Sequence, residues 1–419
     1  MIARLLLVSA LALSASAQNR TATLRKPLAD DVLLRVRPIV DSIYRLDYTH
    51  AERLSQQLIQ DLPQHPAGYV YRVRVYWSEE LSKARLLSAE RLLGMDLFSD
   101  EPRFKTTVIP EVAERFRRTA DEAIEKTRVW AAQHPGDPDS QFLLGSAYAF
   151  KSGYEFSIEH ARLRASQDAG RTFDVLRELI RRYPDLVDAR VITGAFSVIA
   201  DSLDLKTKWL AWLLGYRGNL EEGRQDMELV SEKGFLENDD ARTLLAIVYT
   251  RQGNFERAMA KLSELHARYP ENYLVHLDMA AVEMLSNHPA QALNTYRQIL
   301  AKDYPKLGRA AVLSRLGVAS RMAGDFAESE RRLREASETS TISAVSLAIA
   351  RLELGKTLDL EGQRSAAVEQ YRRVLQNQDF LGLHQDASRW MRKPFDRPAM
   401  RQDNAAGGVV TLGLNPATR

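Results

Sequence analysis

The chain has 419 residues, 45% of them hydrophobic and 27% charged, the make-up of a folded protein. A single hydrophobic core stops growing near ~250–300 residues, so this length implies several domains or an elongated repeat array. The 58 Lys plus Arg against 55 Asp plus Glu leave +3 with no basic block of the kind that tracks a phosphate backbone, and the absence of cysteine excludes disulfides, thiolate metal sites, Cys nucleophiles and lipid anchoring on an N-terminal Cys.

The chain opens with a basic Arg4, an apolar run over residues 5–14 and the small-x-small tripeptide Ala15-Ser16-Ala17 before Gln18. This is the pattern of a Sec-type secretory signal peptide, and the apolar run is far short of the ~20 residues a spanning helix needs. No later stretch is apolar and long enough to span a membrane. The expectation is therefore a chain exported to the periplasm, or alternatively to the extracellular medium, with no transmembrane segment and at most a peripheral association with the envelope.

Beyond Gln18 the sequence reads as helices punctuated by proline, which cannot continue a helix. Tyr183-Pro184, Tyr269-Pro270 and Tyr304-Pro305 are the clearest stops, with Pro63, Pro66, Pro135 and Pro138 playing a similar part. Ala51, Ser55 and Leu58 before Pro63 look like the second helix of a unit that begins near Asp31. Residues 96–110 are less regular and read as a loop. Leu144-Gly145 with Tyr148 starts another first helix, and Gly153 to Arg182 carries small residues at Ala161, Ala165, Ala169 and Gly170, which predicts long helices at close range. Thr193-Gly194 opens a further first helix. Trp209 and Trp212 share one helix face at i,i+3, a spacing that suits packing between units better than a partner or membrane surface.

The pattern then becomes explicit. In residues 239–272 a first helix carries Leu245, Ala246 and Tyr249, Gly253-Asn254 makes a turn, a second helix carries Ala258, Leu262 and Leu265, and Pro270 closes the unit. Small residues at Ala246 and Ala258 let two helices cross closely, and Tyr249 and Leu262 fill the space beside them. This is the tetratricopeptide spacing of a 34-residue helix–turn–helix. Ala280, Ala292, Tyr296 and Ile299 repeat it, with Asn287-His288-Pro289 in place of the glycine turn. Leu316-Gly317, Gly324-Asp325-Phe326, Leu333 and Ala336 repeat it again, as do Leu354-Gly355, Leu358, Gly362, Ala367, Tyr371 and Val374. Residues 380–391 are suited to the capping helix an array needs. After it, Lys393-Pro394-Phe395 breaks the helix, and the Gly-, Ala- and Thr-rich end reads as a flexible tail, with residues 409–414 able to pair as a strand.

The organisation expected is a signal peptide at 1–17, a divergent helical, tetratricopeptide-like region at 18–135, a tetratricopeptide array with its cap at 136–392 and a flexible tail at 393–419. The fold class is all-α, an α-solenoid wound as a right-handed superhelix of helix–turn–helix repeats.

Residues 201–234 add a resemblance. This segment, with its apolar helix, Leu214-Gly215, Gly218-Asn219-Leu220, Gly223 and Lys233-Gly234, resembles a family of secreted or envelope bacterial tetratricopeptide-repeat proteins. More distantly it is similar to the eukaryotic tetratricopeptide repeat protein 39 family. Gly218-Asn219-Leu220 stands where the family often has Gly-Asp-Arg, Gly223 matches, and Arg224 replaces the usual Leu. The resemblance extends over most of residues 40–376 and implies an α-solenoid that works as a scaffold or adaptor.

No nucleotide-loop, dinucleotide, zincin, nucleophile-elbow or EF-hand motif is present, and none of the eight histidines pairs at i,i+4. No catalytic residue, cofactor or metal is therefore expected, and the chain reads as a non-enzyme that does not bind nucleic acid. In a tetratricopeptide array first helices line the concave face. Projecting that geometry puts Thr243, Ile247, Thr250 and Arg251 in a groove, then Leu277, Ala281, Met284 and Leu285, then Ser314, Val318, Arg321 and Met322, and last Leu352, Lys356 and Asp359. The expected groove is apolar at its centre with cations at its flanks, suited to an amphipathic helix or extended peptide of a partner protein. The runner-up is a module that encloses a small apolar molecule or a glycan strand, which dense concave aromatics would favour.

Overall fold

The computed structural model describes residues 24–83, 108–201 and 219–405, apart from 303, 305–307, 341, 343, 380 and 381. The signal peptide, nearly all of the loop expected at 96–110, the Trp209–Trp212 pair, about half of the segment that carries the family resemblance and the strand expected at 409–414 lie outside the described residues.

The described residues form eighteen α-helices and one 3-10 turn. They are α1 Asp30–Tyr44, α2 Tyr48–Asp61, α3 Ala67–Lys83, α4 Pro110–Gln133, α5 Pro138–Ser157 and α6 Arg162–Arg182. The 3-10 turn Val187–Ala189 leads into α7 Arg190–Asp201, followed by α8 Leu220–Lys233, α9 Asn238–Arg251, α10 Phe255–Arg268, α11 Tyr273–Leu285 and α12 Pro289–Lys302. The last are α13 Arg309–Met322, α14 Phe326–Glu338, α15 Ala344–Leu360, α16 Arg364–Leu375, α17 Leu383–Arg392 and α18 Arg397–Ala405. Helices pack chiefly on their neighbours in sequence, and α3 on α5, α13 on α15 and α15 on α17 add contacts between first helices of successive units. This is an α-solenoid of tetratricopeptide-type units. Among the described residues no helix is long and apolar enough to cross a membrane.

Local chemistry sets the boundaries. Gly253, Gly324 and Gly362 take left-handed φ values of 71°, 86° and 78° between the helices of a unit, and Asn287 takes the same region at 60° in the turn without glycine. Asn254 and Asp325 follow and cap the next helix by accepting from the N–H of Arg257 and Glu328. Between units, Asn272 accepts from the N–H of Leu274 and Val275 to start α11 just after Pro270. Ala246, Ala258, Tyr249 and Leu262 are all buried, as the close crossing of α9 and α10 requires. At α15 and α16 the small residue is Gly355, where an added Cβ would lie 2.4 Å from the Tyr371 ring.

The N-terminal helix departs from a plain repeat. It packs on α2 and α3, but together with the residues just before it α1 also reaches four later turns of the array. The Ala29 N–H donates to Asp139 at 2.7 Å, and the Arg25 N–H donates to the Asp185 carbonyl at 3.0 Å. Arg37 donates to the Phe235 carbonyl. The Tyr44 ring stacks on Tyr269 with centroids 5.1 Å apart, and its carbonyl accepts from Asn272 at 2.6 Å. Buried residues of α1 to α6, with Leu186, Ala189 and Leu236, form one large core, with Tyr273 and Leu274 packed against it. The units after it carry smaller separate clusters.

The expectation of a flexible tail from 393 onward is corrected for residues 393–405. Phe395 is 1% exposed, and residues 397–405 form α18. The sequence shows a helix break at Lys393-Pro394, and the break is there, but the chain turns back onto the array instead of leaving it.

Candidate functional site

The residues projected into the groove do not share one open surface. Thr250, Leu277, Ala281 and Met284 are buried, Met284 to 1% exposure. Leu277 and Met284 belong to a core with Val312, Leu316, Val318 and Met322 of α13. The Thr250 hydroxyl donates to the Ala246 carbonyl at 2.7 Å, inside its own helix. Leu285, Ile247 and Thr243 are half-buried, and Thr243 lies 3.4 Å from the Tyr44 hydroxyl, against α1. Arg251 is exposed at the end of α9. The apolar centre expected of the groove is thus packing between units. The physical reason is the environment of a first helix, which has its own second helix on one side and a unit before and after it. In α13 the buried residues fall on all sides of the helix, and a helix apolar all round is a core helix.

Arg321 and Lys356 correct the expectation of cations at exposed flanks. They are 0% and 2% exposed. Arg321 donates to Glu353 at 2.6 Å, and Lys356 meets the other oxygen of that carboxylate at 3.1 Å. Over both cations lies the ring of Phe395, with Arg321 5.1 Å and Lys356 5.3 Å from its centroid. Trp390 meets the same ring edge-on at 5.0 Å and 88°. The Phe395 N–H donates to Asp359 at 2.9 Å, and Asp359 also accepts from the Tyr371 hydroxyl at 2.9 Å and the Arg364 guanidinium. Burial pushes the Tyr371 phenol far up, and the Asp359 carboxylate adds to the shift. Arg364 further donates to the carbonyls of Trp390 and Met391, which end α17. Phe395 is therefore held on the first helices of the last two full units by its ring and its backbone N–H. Sequence reasoning singled out Arg321, Lys356 and Asp359 but missed Phe395. An aromatic isolated after Lys-Pro, where flanking residues are polar, was the available signal.

A second polar cluster was not anticipated. Asp239-Asp240 reads in the sequence as dipole-favoured charge at a helix start, and both residues do sit in the first turn of α9. They also reach across the chain. Arg74 of α3, 4% exposed, donates to Asp240 at 2.5 Å and to Glu237 at 3.3 Å. The Tyr44 hydroxyl donates to Asp240 at 2.9 Å, and Tyr269 donates to Asp239 at 2.8 Å. Burial pushes the Glu237 carboxyl well up. Burial also raises Asp240, but Arg74 and the hydrogen bonds from its neighbours outweigh it and hold this carboxyl below the usual range. One guanidinium thus serves two carboxyls, and the more enclosed of them keeps its proton more readily. Asp188 in the 3-10 turn completes the joint by accepting from the N–H groups of Phe235, Leu236 and Glu237.

The fold is a tetratricopeptide-type solenoid, with Phe395 packed on α13 and α15 near its C-terminal end and a buried polar cluster joining α3 to α9. The tetratricopeptide-repeat family profile matches residues 249–316, covering α10 to α12 and the flanking helices in part. No curated protein matches the sequence. Among solved structures, the chain is similar to human IFIT1, determined as a dimer with m7Gppp-AAAA, at 12% identity over 93% of this chain and 90% of that one, with a TM-score of 0.41. It is also similar to a tetratricopeptide repeat protein from Parabacteroides merdae, at 13% identity over 79% of this chain and 100% of that one, with a TM-score of 0.31. The Cut9–Hcn1 hetero-tetramer of the APC/C aligns at 13% identity over 92% of this chain and 87% of that one, with a TM-score of 0.31.

Proposed function

We propose that this protein is a non-catalytic scaffold of the cell envelope that holds a helix or extended peptide of a partner protein on its concave face. The observation that supports the proposal is the seat of Phe395 on α13 and α15, where one residue of an irregular segment packs against first helices. Export rests on the signal-peptide pattern of residues 1–17 and places the chain in the periplasm, or alternatively outside the cell. The resemblance of residues 201–234 to envelope tetratricopeptide proteins fits the same role.

The test is a photo-crosslinking amino acid placed at Ile247, on a first helix, or at Ala260, exposed on second helix α10, in the chain expressed in its own host. Adducts from Ile247 in the envelope fraction, absent from Ala260, are expected. Equal adducts from both positions, none from either, or a chain confined to the cytoplasm would each overturn the proposal. Leu277 and Met284 are unsuitable probes, because a charge there breaks the core of the array and not a binding surface.

A further inference from the structure

We infer that the cleft formed by Arg321, Glu353, Lys356 and Asp359 is a recognition site for an extended segment bearing one aromatic residue after a proline, and that the chain's own residues 393–396 occupy it in cis. The inference rests on the concave-face proposal above and specifies the ligand. It begins from an asymmetry of burial. Phe395 is 1% exposed, while Arg392, Lys393, Pro394, Arg397 and Pro398 around it are exposed. A helix that merely capped the array would bury a stripe of its own residues, as α17 does with Leu383, Ala387 and Trp390. Residues 393–396 instead insert a single ring, which is how a linear peptide docks.

The cleft is chemically suited to a ring. Two cations lie within 6 Å of the centroid, where the ring quadrupole attracts them, and burial strengthens that attraction. An aliphatic side chain would fill the volume but leave the two cations without the negative face of a π-system. The proline before the ring keeps the backbone extended and lowers the entropy lost on docking. The Phe395 N–H, aimed at Asp359, fixes the register. Asp396 does not contact the cleft in the same way. It accepts from the Ala399 N–H and starts α18, which sets the ligand requirement as Pro-aromatic with no fixed residue after it.

A tethered segment competes at an effective concentration on the order of millimolar, so an external peptide meets a closed cleft in the wild-type chain. The probe is a fluorescein-labelled peptide of residues 392–401, titrated by polarisation against the full chain and against full-length Phe395→Ala. The expected result is saturable binding to Phe395→Ala at least tenfold tighter than to wild type, and none by a peptide whose own Phe is replaced with Ala. Equal binding to both chains, or binding that ignores the peptide's ring, overturns the inference and makes residues 393–396 a structural cap. If Phe395→Ala does not fold, amide hydrogen exchange on the wild-type chain decides. Excess peptide should speed exchange at residues 395–400 while α13 and α15 stay protected, and unchanged exchange overturns the inference. Failure of the crosslinking test alone is separable, because the peptide assay needs no cellular partner.

Discussion

His266 on α10 and His276 on α11 stack with ring centroids 4.5 Å apart, at the joint between two units. Burial, aided by His266 and the nearby Lys302 of α12 and opposed by Gln298 of the same helix, lowers His276 to about 4. Burial, aided by Lys302, also lowers His266. Both rings are therefore neutral in the folded chain at neutral pH. The sign of the linkage follows. Between pH 6.5 and about 4 the unfolded chain binds a proton at position 276 that the folded chain refuses. Stability from this site is complete above the unfolded value and is lost as pH falls through that window, by about 2–3 kcal/mol at the acid end. Urea midpoints measured from pH 7.5 to 4.5 should fall more steeply for wild type than for His276→Phe, which keeps a ring in the stack and cannot titrate. Parallel pH profiles would show that the pair does not govern this part of the stability.

At the scale of elements, α7 and α8 cross with backbone against backbone. A Cβ at Gly223 would lie 2.6 Å from the Gly194 carbonyl oxygen, and one at Gly194 would lie 2.9 Å from the Gly223 carbonyl oxygen. Two backbones in contact cannot rotate away as a side chain can, so Gly223→Ala should push the helices apart and cost about 1–3 kcal/mol. A lowered melting temperature with unchanged helical content by circular dichroism is the expected outcome, and an unchanged melting temperature would mean the helices slide without penalty. The sequence singled out each glycine separately, Gly194 at the opening of a first helix and Gly223 in the family resemblance, but not their contact, which depends on how the two helices cross. The turns were legible because their signal is local. Gly253-Asn254 and Gly324-Asp325 pair a left-handed residue with a cap, and Asn287 substitutes for glycine without altering the turn. The groove was less legible. The register of first helices follows from the repeat, but which of their faces the next unit covers depends on the superhelical packing. Met284 and Arg321 therefore read as surface and fold as core. Phe395 escaped because its partners Arg321 and Lys356 are distant in sequence and nothing local announces them.

At the scale of the whole molecule, a repeat array holds together through nearest-neighbour contacts, and its units can in principle unfold one after another. Here α1 and α3 break that rule. Arg74 is linked to Glu237 across 163 residues, and Tyr269 to Asp41 across 228. Closing such loops costs chain entropy that only the assembled structure returns, so the contacts tie units that would otherwise melt independently. The decisive substitution is Arg74→Met, which keeps the length of the buried side chain and removes its charge. It leaves Glu237 and Asp240 facing each other without a cation, a loss of about 3–5 kcal/mol for a broken buried pair. Adding Glu237→Gln should recover part of that loss, since this carboxyl is the one burial already pushes toward its protonated form. The larger consequence is in the shape of unfolding. Calorimetry of Arg74→Met should resolve a transition of α1 to α6 from that of α9 and the later units, where wild type is expected to unfold the two together. A variant that melts in one cooperative step at a lower temperature would mean that the contacts of α1 with the turns at 235 and 272 suffice to couple the halves, and that Arg74 contributes stability alone.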